Sequence, residues 1–289
     1  IERMKIGLRI PGAAGEMSWA DFCGWCKENG VEAIDVGAIT AELAETVGDA
    51  GLTIGSADLP GVRDLLSIDS AKQEAGATMA KEAISVAAEH GVSIMFCVFV
   101  PGDASLGRAK NYEIWKETVP PIAEFAASKG VGIAVEGWPG GGPAYPALGC
   151  TPEMWRAMFT ECPDGLGLNY DPSHLVRISI DYLRALNEFA DKVLHVHAKG
   201  TVFDQEALYL HGNLGPTFHN PRGFGEDWWR YCIPGDGVID WLKIIQRLED
   251  EGFDGIVSVE LEDYRYWENW EAQADGLKRS QSFLSNIVR

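Results

Sequence analysis

The sequence has no apolar run approaching the roughly 18 residues of a membrane-spanning helix, so no membrane anchor is expected. Its opening, IERMKIGLRI, has neither the long apolar stretch nor the small-residue cleavage site of a signal peptide. Removal of a segment upstream of Ile1 stays compatible with that reading. Basic residues are scarce: 24 Lys and Arg stand against 43 Asp and Glu, for a net charge of −19. Such a surface repels a polyanion, because nucleic-acid affinity rests on phosphate neutralisation. The balance favours a small-molecule ligand, with no nucleic-acid and no membrane partner. Cysteine is sparse too, and 6 in 289 residues do not make a disulfide scaffold. Cys23 and Cys26 have the spacing of a redox pair. With Ser18 as N-cap, however, they fall mid-helix on the stripe of Trp19 and Phe22 and read as core packing. Reduced thiols fit a cytoplasmic protein. Linkers, low-complexity tracts and repeats are also missing, so a single domain over 1–289 is expected.

What is present is an alternation. Strand-like runs fall at Lys5–Ile10, Ala33–Gly37, Thr53–Leu59, Ser93–Val100, Gly132–Gly137, Leu166–Asp171, Val193–Lys199 and Ile256–Leu261. Amphipathic helices are expected at Trp19–Asn29, Thr40–Ala50, Asp69–His90, Asn111–Lys129, Thr151–Phe159, Asp181–Phe189, Ile239–Glu251 and Trp270–Asn286. Gly30, Gly51, Gly91, Gly130 and Gly252 close five of them just before the next strand. This strand–helix alternation predicts an α/β fold, a (β/α)8 TIM barrel, because parallel strands need crossover helices. A doubly wound open sheet is the rival, but the turn after the first strand, Arg9-Ile-Pro-Gly-Ala-Ala-Gly15, lacks the phosphate-binding glycine spacing. One long irregular stretch, 200–237, holds His211, His219, Arg222, Trp228, Trp229 and Arg230; in a barrel it leaves the C-terminal face, where active sites lie.

Ionisable residues gather at the C-terminal ends of four consecutive strands. Strand five ends in Glu136, strand six in Asp171 with His174 three residues on, strand seven carries His195 and His197, and strand eight ends in Glu260. Inward-facing strand ends converge on the barrel axis, and three carboxylates with one imidazole repel one another less when a cation lies between them. Glu136, Asp171, His197 and Glu260 are therefore candidate ligands for one divalent ion, Mn²⁺, Mg²⁺, Co²⁺ or Zn²⁺. Taken singly, each has a plainer reading: a solvated cap for a Glu (Glu262 included), turn chemistry for Asp171-Pro172, core packing for a His. His195 and His197 are two apart on one strand face, about 6–7 Å along it. A single ion at the mouth meets only one of them, and His197 is nearer the C-terminal end.

These residues carry a resemblance. Glu136 closing strand five, Asp171-Pro-Ser-His174, His197-Ala-Lys199, Pro234-Gly-Asp-Gly-Val-Ile-Asp-Trp241 and Val259-Glu260 look like the xylose isomerase-like TIM barrels, and more narrowly the sugar phosphate isomerase/epimerase superfamily with its ketose 3-epimerases, hydroxypyruvate isomerases and inosose dehydratases. The match spans essentially the whole chain. Two departures stand out: Gly200 replaces the Asp of the frequent His-x-Lys-Asp motif, and strands three and four lack the histidines of the three-zinc AP-endonuclease branch, which with the charge argues against DNA repair.

The resemblance implies a metal-dependent sugar isomerase or epimerase, with manganese foremost among the ions. A proton next to a carbonyl would leave through an enediolate, with Glu136 and Glu260 as metal ligands and acid/base pair. His174 would donate to a substrate oxygen and Lys199 would face the developing oxyanion. Arg9, Trp138 and Arg230 are further candidate substrate contacts, with His211 and His219 behind them; Arg9 and Lys199 have plain salt bridges as alternatives. Pro139-Gly-Gly-Gly-Pro143 reads as a lid segment. His195, one layer deeper, would support the ligands by hydrogen bonding. The alternatives are a lyase on the same site (inosose dehydratase-like, or β-elimination from a 3-oxo-sugar or 3-oxo-glycoside), an AP endonuclease-like hydrolase, and a non-catalytic sugar-binding barrel. A sugar or sugar derivative is the expected partner, and a homo-oligomer is implied only by analogy.

Overall fold

The computed structural model describes residues 3–142, 144–221, 223–225 and 227–288. In chain order the strands are β1 Lys5–Arg9, β2 Ala33–Val36, β3 Thr53–Asp58, β4 Ile94–Cys97, β5 Gly132–Glu136, β6 Leu166–Tyr170, β7 Val193–Ala198, β8 Gly200–Phe203, β9 Trp229–Cys232 and β10 Ile256–Val259. β1 to β7 and β10 pair in parallel and close into a barrel, in the order β1-β10-β7-β6-β5-β4-β3-β2. The helices between them cover the outer face, so a central strand such as β2, Ala-Ile-Asp-Val, is buried at all four residues. The TIM barrel expected from the alternation is the fold observed. No helix among the described residues is long and apolar enough to cross a membrane.

Local chemistry sets the helix ends. Ser18, Thr40, Asp69, Thr151, Asp181, Asp240 and Asn269 each accept a hydrogen bond from a backbone N–H of the first turn. The five predicted closing glycines all have positive φ, 71° to 81°, which a Cβ would strain. Cys23 and Cys26 lie inside the helix Trp19–Glu28, both fully buried.

Two expectations need correction. The helix expected at Asn111–Lys129 is two helices, Gly107–Thr118 and Pro120–Ser128, because Pro120 and Pro121 have no N–H to continue the first. The stretch 200–237 is not irregular throughout. β8 pairs antiparallel with β9, and a short helix Gln205–His211 lies between them. Trp228, Trp229 and Tyr231, packed with Phe203, Ala207 and Leu208, give this excursion a small apolar core of its own. Arg222 and Pro143 lie outside the described residues.

Strand register positions the site. Glu136 on β5 is level with Asn169 on β6, and Asn169 with His195 on β7, after a register shift next to Leu168. Across the barrel seam, His197 on β7 is level with Ser258 on β10. Asp171 and Glu260 each follow the last residue of their strand, and so stand at the C-terminal rim.

Candidate active site

Strand alternation sends His195, His197 and Lys199 to the same side, at successive heights. All three are buried, with His197 and Lys199 at 0% exposure. The lowest level is a ring of polar contacts. Asn169 Nδ2 donates to Glu136 Oε1 at 3.0 Å, and Asn169 Oδ1 lies 2.8 Å from His195 Nδ1. His195 Nε2 lies 3.0 Å from Asp35 Oδ1, Asp35 Oδ2 faces His197 Nε2 at 3.5 Å, and His197 Nδ1 returns to Glu136 Oε1 at 2.8 Å. His195 thus reaches Glu136 through Asn169, one layer below the mouth. Gly55 leaves room for this ring, since a Cβ there would lie 2.4 Å from Asp35 Oδ1.

The middle level holds the acids. His197 Nδ1 is 3.4 Å from Glu260 Oε2 as well as 2.8 Å from Glu136. Burial opposes charge on this imidazole, yet Glu260, Asp35 and Glu136 hold its pKa well above the ordinary histidine range. Burial likewise pushes the Glu136 carboxyl up, but His174 and His197 hold it well below the usual carboxylate range. His195 and His197 do the same for Asp35. Glu260, against burial, is drawn down to about 2 by Lys199 and His197.

The upper level is cationic and aromatic. Lys199 Nζ lies 3.1 Å from Asp171 Oδ2, donates to Glu260 Oε2 at 2.5 Å and to Glu262 Oε2, and stands 4.7 Å over the Tyr231 ring. Burial lifts the Glu262 carboxyl to about 7 despite Lys199. His174 Nε2 faces Glu136 Oε2 and Asp171 Oδ2, both at 3.4 Å, and its Nδ1 is 2.6 Å from Tyr231 Oη. Arg177 Nη1 donates to the same Tyr231 oxygen at 3.4 Å. For His197, by contrast, Asp35 faces Nε2, and the nitrogen turned to the acids is Nδ1.

These atoms fit a divalent cation. One oxygen each from Glu136, Asp171 and Glu260, with His174 Nε2, all lie within 4.8 Å of one another, and the buried Asp171 Oδ2 makes no hydrogen bond among the described residues, only ion-pair contacts with Lys199 at 3.1 Å and His174 at 3.4 Å. His197 groups by the same measure with Asp35 and His195, but its Nδ1 touches two of the three carboxylates. His174 Nε2 and His197 Nδ1 are thus two imidazole nitrogens within reach of these carboxylates, and either could complete the set.

The remaining sequence-selected residues are spread around this centre. Arg9 makes a bidentate pair with Asp58, 2.9 Å for both bonds, lies 3.6 Å from Glu260, and stacks 4.8 Å over Phe96. Trp138 lines a cleft of about 210 Å³ with Phe224 and Tyr231. Arg230 is not brought to the centre: Tyr231 turns inward on β9, so Arg230 points to the other side, 3.6 Å from Asp263. His219 hydrogen-bonds Asp227 at the exposed surface, and His211 ends the helix Gln205–His211. Sequence reading missed Asp35, Asn169 and Tyr231. The first two are polar residues that the structure places within wholly buried strands. Tyr231 gave no signal outside the excursion that carries it.

Gly200, the departure from His-x-Lys-Asp, has a steric cause. A Cβ there would lie 2.7 Å from Cys232 Sγ and 3.2 Å from the Ile233 carbonyl, across the β8–β9 pairing. The Pro234–Trp241 motif packs beside it: Trp241 Nε1 donates to the Lys199 carbonyl at 3.3 Å, and the Gly237 backbone approaches Thr201 too closely for a side chain.

Comparison with known proteins agrees with this architecture. An inosose dehydratase of Lacticaseibacillus casei is 33% identical over 112 residues, covering 39% of this chain and 36% of that protein. Another, of Geobacillus thermodenitrificans, is 28% identical over 148 residues, covering 49% and 44%. The chain thus spans less than half the length of the curated relatives it matches. Among solved structures, an L-ribulose 3-epimerase superposes with a TM-score of 0.71 at 18% identity, covering 98% of this chain and 94% of that one. A probable 3-DHS dehydratase involved in petrobactin synthesis in Bacillus anthracis gives 0.70 at 17%, covering 98% and 99%. At these identities the structural likeness is one of fold. Residues 22–287 match the model of one family over nearly the whole barrel, and the chain belongs to that family, the xylose isomerase-like TIM barrels.

Proposed function

We propose that this protein is a divalent-metal-dependent enzyme that moves a proton next to the carbonyl of an unphosphorylated sugar or sugar derivative, as an isomerase or epimerase. The observation that carries the reading is the convergence of Glu136 and Glu260 on one imidazole nitrogen of His197, at 2.8 and 3.4 Å, with Asp171 beside them. Glu136, Asp171, His197 and Glu260 would hold the ion. When bound, a divalent ion supplies Lewis acidity toward a carbonyl and its neighbouring hydroxyl. Glu136 and Glu260 then serve as the proton acceptor and donor on the two faces of the substrate. Both carboxyls are held below the usual carboxylate range, so each is ionised near neutral pH, the form that a metal ligand or a base requires. His174 Nε2–H donates to a substrate oxygen, oriented by Tyr231. Phe96, tilted against His197 at 5.1 Å, keeps water from the ring.

The restriction to unphosphorylated substrates follows from pairing. Arg9 is engaged by Asp58 and Lys199 by three carboxylates, and the cleft of about 700 Å³ beside Glu262 is lined by Glu16 and Glu268 together with Phe224, Trp267 and Trp270. Acids and aromatic faces suit sugar hydroxyls and ring faces, not a phosphate.

A second reading, a dehydratase or other β-eliminating lyase on the same site, is favoured by the inosose dehydratases among the sequence relatives. It begins with the same proton abstraction and ends in loss of the β-substituent. The Mn²⁺-loaded protein incubated in D₂O with ketoses, inososes and 3-oxo-glycosides separates the two. Deuterium uptake without loss of water or aglycone marks the isomerase or epimerase, and elimination marks the lyase. Neither exchange nor elimination on any of them contradicts both.

A further inference from the structure

The Lys199 ammonium stands where a metal ion is to bind. Its Nζ contacts Asp171 Oδ2 at 3.1 Å and Glu260 Oε2 at 2.5 Å, and both residues belong to the set proposed above to hold the ion. Its other partners, Glu262 Oε2 and the face of Tyr231, lie outside that set. A small divalent ion takes carboxylate oxygens at about 2.0–2.2 Å. An ammonium in contact with the same oxygens cannot keep that place beside it, because the two cations repel and compete for the same lone pairs. Lysine can yield: its charge is a point on a flexible four-carbon stem. It also needs a place to go, since a fully buried ammonium left without a partner is strongly unfavourable. Glu262, two residues beyond Glu260 and already in contact with Nζ, is that place.

We propose that Lys199 is a built-in counter-ion. It neutralises Asp171 and Glu260 in the metal-free protein, withdraws toward Glu262 when a divalent ion takes their oxygens, and thereby sets the metal affinity of the site. The proposal rests on the metal-site reading above. It makes stability and affinity move in opposite directions: without Lys199 the metal-free acids repel one another, but an incoming ion displaces nothing. A lysine that merely packs in the core gives no such opposition.

The test is calorimetric titration of the metal-free protein with Mn²⁺, alongside thermal unfolding of the same samples without metal. Lys199→Met is expected to lower the metal-free Tm and to tighten Mn²⁺ binding by about tenfold or more. Lys199→Gln serves if the Met variant does not fold. Glu262→Gln is expected to weaken Mn²⁺ binding, because the displaced ammonium loses its partner, and this effect should vanish when Lys199→Met is added. Unchanged or weaker binding by Lys199→Met and Lys199→Gln overturns the proposal. So does a Glu262→Gln effect that persists without Lys199, which would make Glu262 itself a ligand. Those outcomes leave the metal site standing. No Mn²⁺ uptake by the unaltered protein and by the Lys199 variants refutes the metal-site reading, and the proposal with it.

Discussion

His195 Nε2 and Asp35 Oδ1 are 160 residues apart in the chain and 3.0 Å apart in the barrel. That contact ties β2 to β7 across the interior and closes the ring through Asn169, Glu136 and His197. Asp35 is fully buried, and the two imidazoles hold its carboxyl well below the ordinary range.

Removing this anion leaves both histidines without their shared partner. Asp35→Ala should cost about 3–5 kcal/mol in chemical denaturation of the metal-free protein, the range for breaking a buried charge pair from one side. A loss below about 1 kcal/mol, the range of a solvent-exposed pair, would mean that the ring does not hold the barrel interior together.

Gly200 should tolerate no side chain. Gly200→Ala places a Cβ against Cys232 Sγ, and overpacking of this kind costs about 1–3 kcal/mol. Because the sulfur is the nearest obstacle, adding Cys232→Ala should restore part of the loss. Equal stability of Gly200→Ala and the unaltered protein, by urea titration, would exclude a steric reason for the missing aspartate.

All six cysteines are free and buried. Burial pushes the thiols of Cys26, Cys162 and Cys232 up to about 12. With a pKa near 12, roughly one thiol in ten thousand is ionised at pH 8, and the thiolate is the reactive form. A disulfide reagent at pH 8 should therefore label the native protein only slowly and all six thiols in denaturant. Rapid labelling of Cys23 or Cys26 in the folded protein would reopen the redox reading of that pair.

The barrel was legible because most strand–helix units carry their own punctuation: an apolar run with a capping Ser, Thr or Asp, and in five of them a closing glycine. Glu136, Asp171, His174, His197, Lys199 and Glu260 were legible because a parallel barrel brings successive strand ends to one rim. Asp35 escaped because it is a single acid in a strand of four residues, away from the four strands that announce the site. Its partner lies 160 positions on, and nothing local marks the pairing. The partners of Arg9 and Lys199 depend on distances, which spacing does not supply: both side chains end on carboxylates, as their plainer alternatives required. Tyr231 became visible only when β8 and β9 were seen to pair, since alternation along β9 then turns it inward and Arg230 away.

The central claim is a single divalent ion held by Glu136, Asp171, His197 and Glu260. It is tested most directly by the metal content of Mn²⁺-loaded, desalted protein for the unaltered chain, His195→Ala and His197→Ala. The account predicts a single ion per chain in the unaltered protein and none in His197→Ala. His195→Ala, which removes only a support for the ligands, should keep the site with affinity reduced by about 10–100-fold. Three ions per chain, or a His197→Ala variant that binds as well as the unaltered protein while His195→Ala binds none, would contradict it.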